Sequence, residues 1–394
     1  MAIRVAVVGP RRRREGLGPF LIQYLLQHGA KLVAVATSRG ETAQLAVEEI
    51  HRRWGIRPRG YASVGEMVSR ERLDAVVICS PTRLHLQHLQ MAATVGLHVL
   101  CEKPLCFDGK HSPALAVRGM LHQFQREGRV LMVNHPWPYT LAAHRRLYPQ
   151  ALVSGTAARD VQVWLAPSCT GVEMIPHAFT HALSLLQAVS SAQGRILHLD
   201  VRPRADAAGT VRGWDIAFLY GHAQGSTVFR TRLVHQPRQP RQAGYAIDLQ
   251  WVRRRILWPQ YRQYLEPGHP EQAPAPLSGP PGAQAVELED PLSLLVADFL
   301  RRCKQGGMDR RDYKLVLTQL GMLWMVWEAA CRAVGQSPPA AREETLPPIS
   351  REETRDFDPL FARKSKHEPF STPSPSTDAQ GTAKDGRHSR IPRL

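Results

Sequence analysis

Cysteine is scarce in this chain, with six in 394 residues. So few thiols make no disulfide framework at this length, and Cys101 and Cys106 lack the CxxC spacing of zinc ribbons and dithiol redox sites. Reduced, mostly buried thiols and no metal centre are the expectation. Long apolar runs are missing too. No stretch of eighteen or more apolar residues occurs, and the N-terminus opens directly on the strand-like Ile3 to Val8, so neither a membrane span nor a secretory signal is expected and the protein reads as cytoplasmic. Acidic residues are in deficit, 34 Asp and Glu against 51 Lys and Arg, for a net charge of +17. That excess favours polyanions, but it is largely arginine scattered through helices, and charge alone reports nonspecific association. With no zinc-finger spacing and no RNP-like aromatic motif, nucleic acid is not expected as the main ligand.

What is present is ordinary in composition and regular in pattern. The length suits two domains, each with its own core. Ile3 to Val8, Lys31 to Ala36, Leu73 to Cys79 and His98 to Cys101 read as strands; Pro19 to Gln27, Glu41 to Trp54 and His85 to Val95 read as helices between them. A further helix near Ser112 to Glu127 and a strand at Val130 to Asn134 continue the rhythm. Alternating strands and helices give a parallel sheet, and right-handed crossovers make it doubly wound, of the nucleotide-binding type.

Beyond this point the pattern changes. Gly155 to Leu165, Arg195 to Arg202, Trp214 to Tyr220, Ser226 to Val234 and Gly244 to Val252 alternate apolar and polar residues with few helices between them, which predicts a second domain on a large, mostly antiparallel open sheet. A Pro/Gly-rich loop spans Glu266 to Gly282, and helices follow at Pro291 to Lys304 and Tyr313 to Val334. The expected domains are 1–128 and 129–345. From 351 to 394 apolar residues thin out in favour of Ser, Pro, Thr and basic residues, a composition that cannot bury enough apolar surface to order itself.

The first strand ends at Gly9, where a dinucleotide fold places a GxGxxG turn opening a helix. Here Gly9, Gly16 and Gly18 are present at a stretched spacing, with an arginine run starting at Arg11 between them and Pro19 suited to a first helical position. The arginines are read either as a phosphate clamp or as a solvated loop. At the end of the second strand stands Thr37-Ser38-Arg39. A carboxylate there would hold a ribose 2′-hydroxyl, whereas arginine and small hydroxyls accommodate a 2′-phosphate, so NADP is preferred over NAD.

The most informative stretch is Glu102-Lys103-Pro104, at the end of the apolar run Leu97 to Cys101. Ligands of open α/β sheets bind beyond the carboxyl ends of the strands, so this lysine stands where substrate and cofactor would meet. Together with Asp74 to Pro81, His85 and the continuation to Leu105, and with Asp290-Pro291-Leu292 followed by Asp298-Phe299-Leu300, the sequence resembles the Gfo/Idh/MocA oxidoreductases, related to glucose-fructose oxidoreductase and inositol dehydrogenase. The resemblance covers about 1–340. It implies an N-terminal Rossmann domain, a C-terminal α/β domain that also mediates homodimer or homotetramer assembly, and hydride transfer between a nicotinamide and a small sugar- or polyol-like hydroxyl or carbonyl, or an imine. It places Lys103 near nicotinamide and substrate, Glu102 in support, and Ser80, Pro81 and His85 close to the cofactor.

The family's Asp-x-x-x-His pair has two possible matches in Glu173 to Leu186. In one, Glu173 replaces the aspartate and His177 is the histidine; in the other, which lets the helix end at the Ser190-Ser191 turn, His181 is the histidine and His177 replaces the aspartate. Both put His177 in the site, and i,i+4 spacing lets His177 and His181 share one face. Ala178 stands where a zinc protease needs Glu, which argues against metal. Asn134 and Trp137, after the last strand of the first domain, are further candidates for substrate contact, with domain-seam packing the alternative for Trp137. A stretched glycine loop and a missing aspartate also admit a non-catalytic relative that binds nucleotide or acts as a scaffold.

Overall fold

The computed structural model describes residues 1–11, 16–152, 155–237, 243–257, 262–272 and 284–337. The tail expected at 351–394 and most of the Pro/Gly-rich loop lie outside the described residues.

The first sheet contains β1 (Arg4–Val8), β2 (Lys31–Ala36), β3 (Arg59–Tyr61), β4 (Ala75–Ile78), β5 (His98–Cys101) and β6 (Leu131–Val133), all parallel, in the order β3-β2-β1-β4-β5-β6. Helices α1 (Gly18–Gln27), α2 (Gly40–Trp54), α3 (Val64–Arg70), α4 (His85–Thr94) and α5 (Pro113–Arg126) make the crossovers. Every residue of β4 and β5 is buried, as expected for strands covered on both faces. The order reverses between β1 and β4, and the crevice at their carboxyl ends is the ligand position of such sheets. β6 extends this sheet beyond residue 128, where the sequence put the junction between domains.

After α6 (Leu141–Leu147) the second sheet begins with β7 (Asp160–Leu165), and α7 (Thr180–Val189) follows. The sheet is completed by β8 (Arg195–Ala205), β9 (Val211–His222), β10 (Gly225–Val234), β11 (Ala243–Ile247), β12 (Gln250–Leu257), β13 (Arg262–Pro267) and β14 (Val286–Leu288). Its order is β14-β13-β12-β11-β7-β10-β9-β8, antiparallel except for β7 beside β10. Alternation sends Trp214, Ile216, Phe218 and Tyr220 of β9 inward against α7 and α9 (Arg310–Ala333), while Asp215 faces outward. The single strand expected over Gly244 to Val252 is instead a hairpin. Asp248 and Leu249 turn at φ 49° and 69°, and Asp248 Oδ1 accepts bonds from the Arg159 and Asp160 amides at 2.8 and 3.0 Å. Asp enters the left-handed region more readily than most residues, and here its carboxylate is anchored to the start of β7, so this turn carries no glycine to announce it.

Helix α8 (Pro291–Gln305) returns to the first sheet: Leu292, Leu295, Val296 and Phe299 join the core that holds Leu21, Ile22 and Leu25 of α1. Asp290 caps it, accepting from the Leu292 amide at 2.8 Å and from the Tyr24 hydroxyl of α1 at 2.5 Å. Among the described residues no helix is long and apolar enough to cross a membrane.

Candidate active site

A cavity of about 1390 Å³ runs from the carboxyl ends of β1 and β4 to the inner face of the second sheet. At one end Gly9 turns the chain at φ 76°, and a Cβ there would lie 2.7 Å from the Cys79 carbonyl oxygen. A Cβ on Gly18 would lie 2.6 Å from the Gly9 oxygen. Only glycine fits at the first and last positions of the stretched motif. Gly16 and Arg11 line the cavity between them, and Arg11 Nη1 is buried without a partner among the described residues; Arg12 to Glu15 lie outside them. No side chain caps α1, which begins at Gly18 with Pro19 in its first turn.

Thr37 and Ser38 line the same end. Thr37 Oγ1 bonds the Arg39 carbonyl at 2.8 Å and the Thr42 hydroxyl at 2.7 Å, which fixes the turn into α2. Arg39 itself is exposed at the start of α2 and does not line the cavity, and Gly18 packs beneath the turn instead of facing the cavity. Ser80 and Pro81 form the lip after β4. His85 lies almost wholly buried behind them, with Nε2 2.7 Å from the Ser80 carbonyl and Nδ1 2.9 Å from that of Pro104. It ties the lip of β4 to that of β5. Burial lowers its pKa, and the carbonyls oppose that shift.

Lys103 stands at the centre. The apolar β5 delivers it to the carboxyl edge, the Lys103-Pro104 peptide is cis, and Nζ donates to the His177 carbonyl. Lys103 and Glu102 both line the cavity, and burial pushes the ammonium below its usual pKa and the carboxyl above its own. Glu102 Oε1 accepts from Asn134 Nδ2 at 2.5 Å, while the Asn134 amide bonds the Cys101 carbonyl at 2.8 Å. Asn134 thereby positions the carboxyl beside the lysine. Trp137 touches the cavity but is mostly buried, edge-on to Tyr245 with ring centroids 5.9 Å apart.

His177 lies on a π-helical turn, Ile175–Phe179, that runs into α7, and His181 on α7 itself. Both line the cavity, as does the exposed Glu173 just before them. Such turns often mark functional sites. Burial, and then the charge on Lys103, hold His177 at about 4; the same causes, with His135, His177 and Arg254 behind them, hold His181 well below the ordinary value. Both imidazoles are neutral at neutral pH.

Two side chains went unread in the sequence. His135, behind His181 with ring centroids 6.0 Å apart, has its pKa held at about 4 by burial. Its tautomer is set from a distance. Gln187 Nε2 donates to the carbonyls of Ala192 and Leu315 at 3.2 and 3.1 Å, so its oxygen faces Gln319 Nε2 at 3.2 Å. Gln319 therefore presents Oε1 to His135 Nε2 at 2.8 Å, and that nitrogen must carry the proton. The other is Arg254 of β12, which lines the cavity. No three-residue metal cluster occurs among the described residues.

Residues 3–135 match the family model described as "Oxidoreductase family, NAD-binding Rossmann fold". D-glucoside 3-dehydrogenase of Escherichia coli is 34% identical over 106 residues, 26% of this chain and 27% of that protein. D-xylose 1-dehydrogenase (NADP(+)) 2 of Haloferax volcanii is 35% identical over 100 residues, 25% of this chain and 30% of that protein. The chain thus matches under a third of the length of these relatives. Among solved structures, UDP-N-acetylglucosamine 3-dehydrogenase of Acidithiobacillus ferrooxidans superposes with a TM-score of 0.61 at 17% identity, over 85% of this chain and 99% of that one. A Gfo/Idh/MocA oxidoreductase of Vibrio cholerae gives 0.60 at 13%, over 85% and 100%. Residues 3–135 thus match the NAD-binding domain model of the oxidoreductase family, and the described body has the two-sheet fold of a solved Gfo/Idh/MocA oxidoreductase.

Proposed function

We propose that the protein is an NADP-preferring oxidoreductase that moves hydride between a nicotinamide and a small hydroxyl, carbonyl or imine carbon. The observation that carries this reading is the continuity of one cavity from the Gly9 turn to Lys103 and on to His177 and His181. The residues fit a dinucleotide: Gly9 lines the cavity at a turn that a Cβ would block, α1 presents an uncapped N-terminus, and Arg11 holds a buried nitrogen with no partner among the described residues. Thr37 and Ser38, with no acid beside them, favour a 2′-phosphate. When bound, the nicotinamide supplies or accepts the hydride.

The chain's own residues supply the rest. Lys103, steadied by the His177 carbonyl, donates from Nζ to the substrate oxygen, and the burial that lowers its pKa makes that proton easier to give. His181, held neutral, accepts the proton that an alcohol loses on oxidation, and His177 narrows the cleft beside it. Assembly as a homodimer or homotetramer through the outer face of the second sheet is part of the same reading, supported by a groove there containing Trp164, Trp251 and Arg232. Titration of NADPH and NADH into the purified protein, followed by nicotinamide fluorescence, tests it. NADPH should bind more tightly; binding of neither removes the enzyme reading and leaves the scaffold role.

A further inference from the structure

β12 carries three arginines in a row, Arg253, Arg254 and Arg255, and strand alternation separates them. In the antiparallel register Arg253 lies opposite Glu266 and Arg255 opposite Tyr264, on the outer face, where both guanidiniums pair with Glu266 at 3.1 and 2.7 Å. Arg254 faces the other way, into the cavity. Its Nε donates to Gln263 Oε1 at 2.9 Å, and Gln263 is buried. Among the described residues no carboxylate comes within ion-pair distance of Arg254, and its terminal Nη1 and Nη2 have no protein acceptor. The apolar Leu165, Ala243 and Ile256 line the same cavity, as does His181, on which both Arg254 and Lys103 act electrostatically.

An arginine fixed through Nε keeps the edge formed by its two terminal nitrogens, which matches the two oxygens of a carboxylate. A solvated surface arginine would gain little from such fixing. Here the arginine lines the same cavity as Lys103, and both act on His181. We propose that the substrate carries a carboxylate, bound end-on by Arg254, and is a hydroxy or oxo acid, such as a carboxylated sugar, in place of a neutral polyol. This rests on the oxidoreductase reading for the hydride step, but recognition of the anion does not require the cofactor. Glu102 and Glu173 do not cancel the charge: Glu102 is engaged by Asn134 beside Lys103, and Glu173 is exposed.

The test uses the full chain and matched probes that differ in one group. D-gluconate against D-glucitol, and L-tartrate against erythritol, are titrated by calorimetry into the protein with and without saturating NADPH. The acids should bind and the neutral partners should bind at least tenfold more weakly. Arg254→Gln should weaken the acids roughly 10- to 100-fold, the range of charge-assisted hydrogen bonds, while leaving the NADPH titration intact; Arg254→Lys should restore part of the loss. Equal binding of acid and polyol by the unaltered protein overturns the proposal without needing any variant to fold. So does an Arg254→Gln protein with normal acid affinity, or no binding of either acid. Failure of NADPH to bind with acid binding preserved would sink the oxidoreductase reading and leave the anion site standing.

Discussion

Replacing Lys103 by methionine should separate activity from stability. Methionine has nearly the length of lysine without its charge, so the swap removes one hydrogen bond to the His177 carbonyl and the attraction to Glu102. The bond, with a charged donor, is worth about 1.5–3 kcal/mol. Against this, an enclosed ammonium carries a desolvation penalty of several kcal/mol, on the order of what its partners return. Glu102 would not be stranded as a bare anion: burial already raises its pKa, so it can protonate while keeping Asn134 as donor. The net change in unfolding free energy should therefore lie within about 2 kcal/mol of zero, of either sign. Turnover should fall about 10²- to 10⁴-fold, the range for a lost general acid or base. Urea unfolding gives the first quantity, and kcat/KM on any substrate turned over by the unaltered enzyme gives the second. A loss of stability above about 4 kcal/mol would make Lys103 a structural strut. Turnover within tenfold of normal would remove it from catalysis.

Stability should decline between pH 6.5 and 4. His135, His144 and His177 each have a folded pKa of about 4, chiefly through burial, against 6.5 for the free imidazole. In that window the unfolded chain binds protons that the folded chain refuses, so stability is fully present above pH 6.5 and is lost as pH falls, by up to about 1.4 kcal/mol per unit for each fully buried group. A constant urea midpoint from pH 7 to 5 would contradict this. Gly9→Ala puts a Cβ 2.7 Å from a backbone oxygen at φ 76°. The left-handed conformation and the overlap together should cost about 2–4 kcal/mol and weaken NADPH at least tenfold; unchanged melting and unchanged affinity would show the turn to be tolerant.

Much of the first sheet could be read from sequence because its strands are continuous apolar runs, each punctuated by a helix. β2 and β5 fall on the expected residues, and Lys103 could be placed because β5 ends in front of it. Short elements escaped. β3 has three residues and one buried side chain, too few to show a period. The β11–β12 turn escaped because Asp248-Leu249 does a job usually given to Asn-Gly. In the site, local sequence identified the residues that sit at strand ends, but Arg254 is told from Arg253 and Arg255 only by parity, which requires the strand register. The His135 tautomer depends on Gln187 and Gln319, 52 and 184 positions away along the chain, and no local signal relates them.

The return of α8 gives the first sheet an odd ownership. The family match stops at residue 135, yet the apolar face of α1, with Leu21, Ile22 and Leu25, is roofed by residues from 291 onward and latched through Tyr24 and Asp290. A fragment cut at the end of the match would carry the whole nucleotide turn on a helix with a bare greasy flank. Residues 1–135 are thus a unit of descent but not a unit of folding. Transplanting this nucleotide-binding half into another protein would require carrying a helix encoded more than 150 residues downstream.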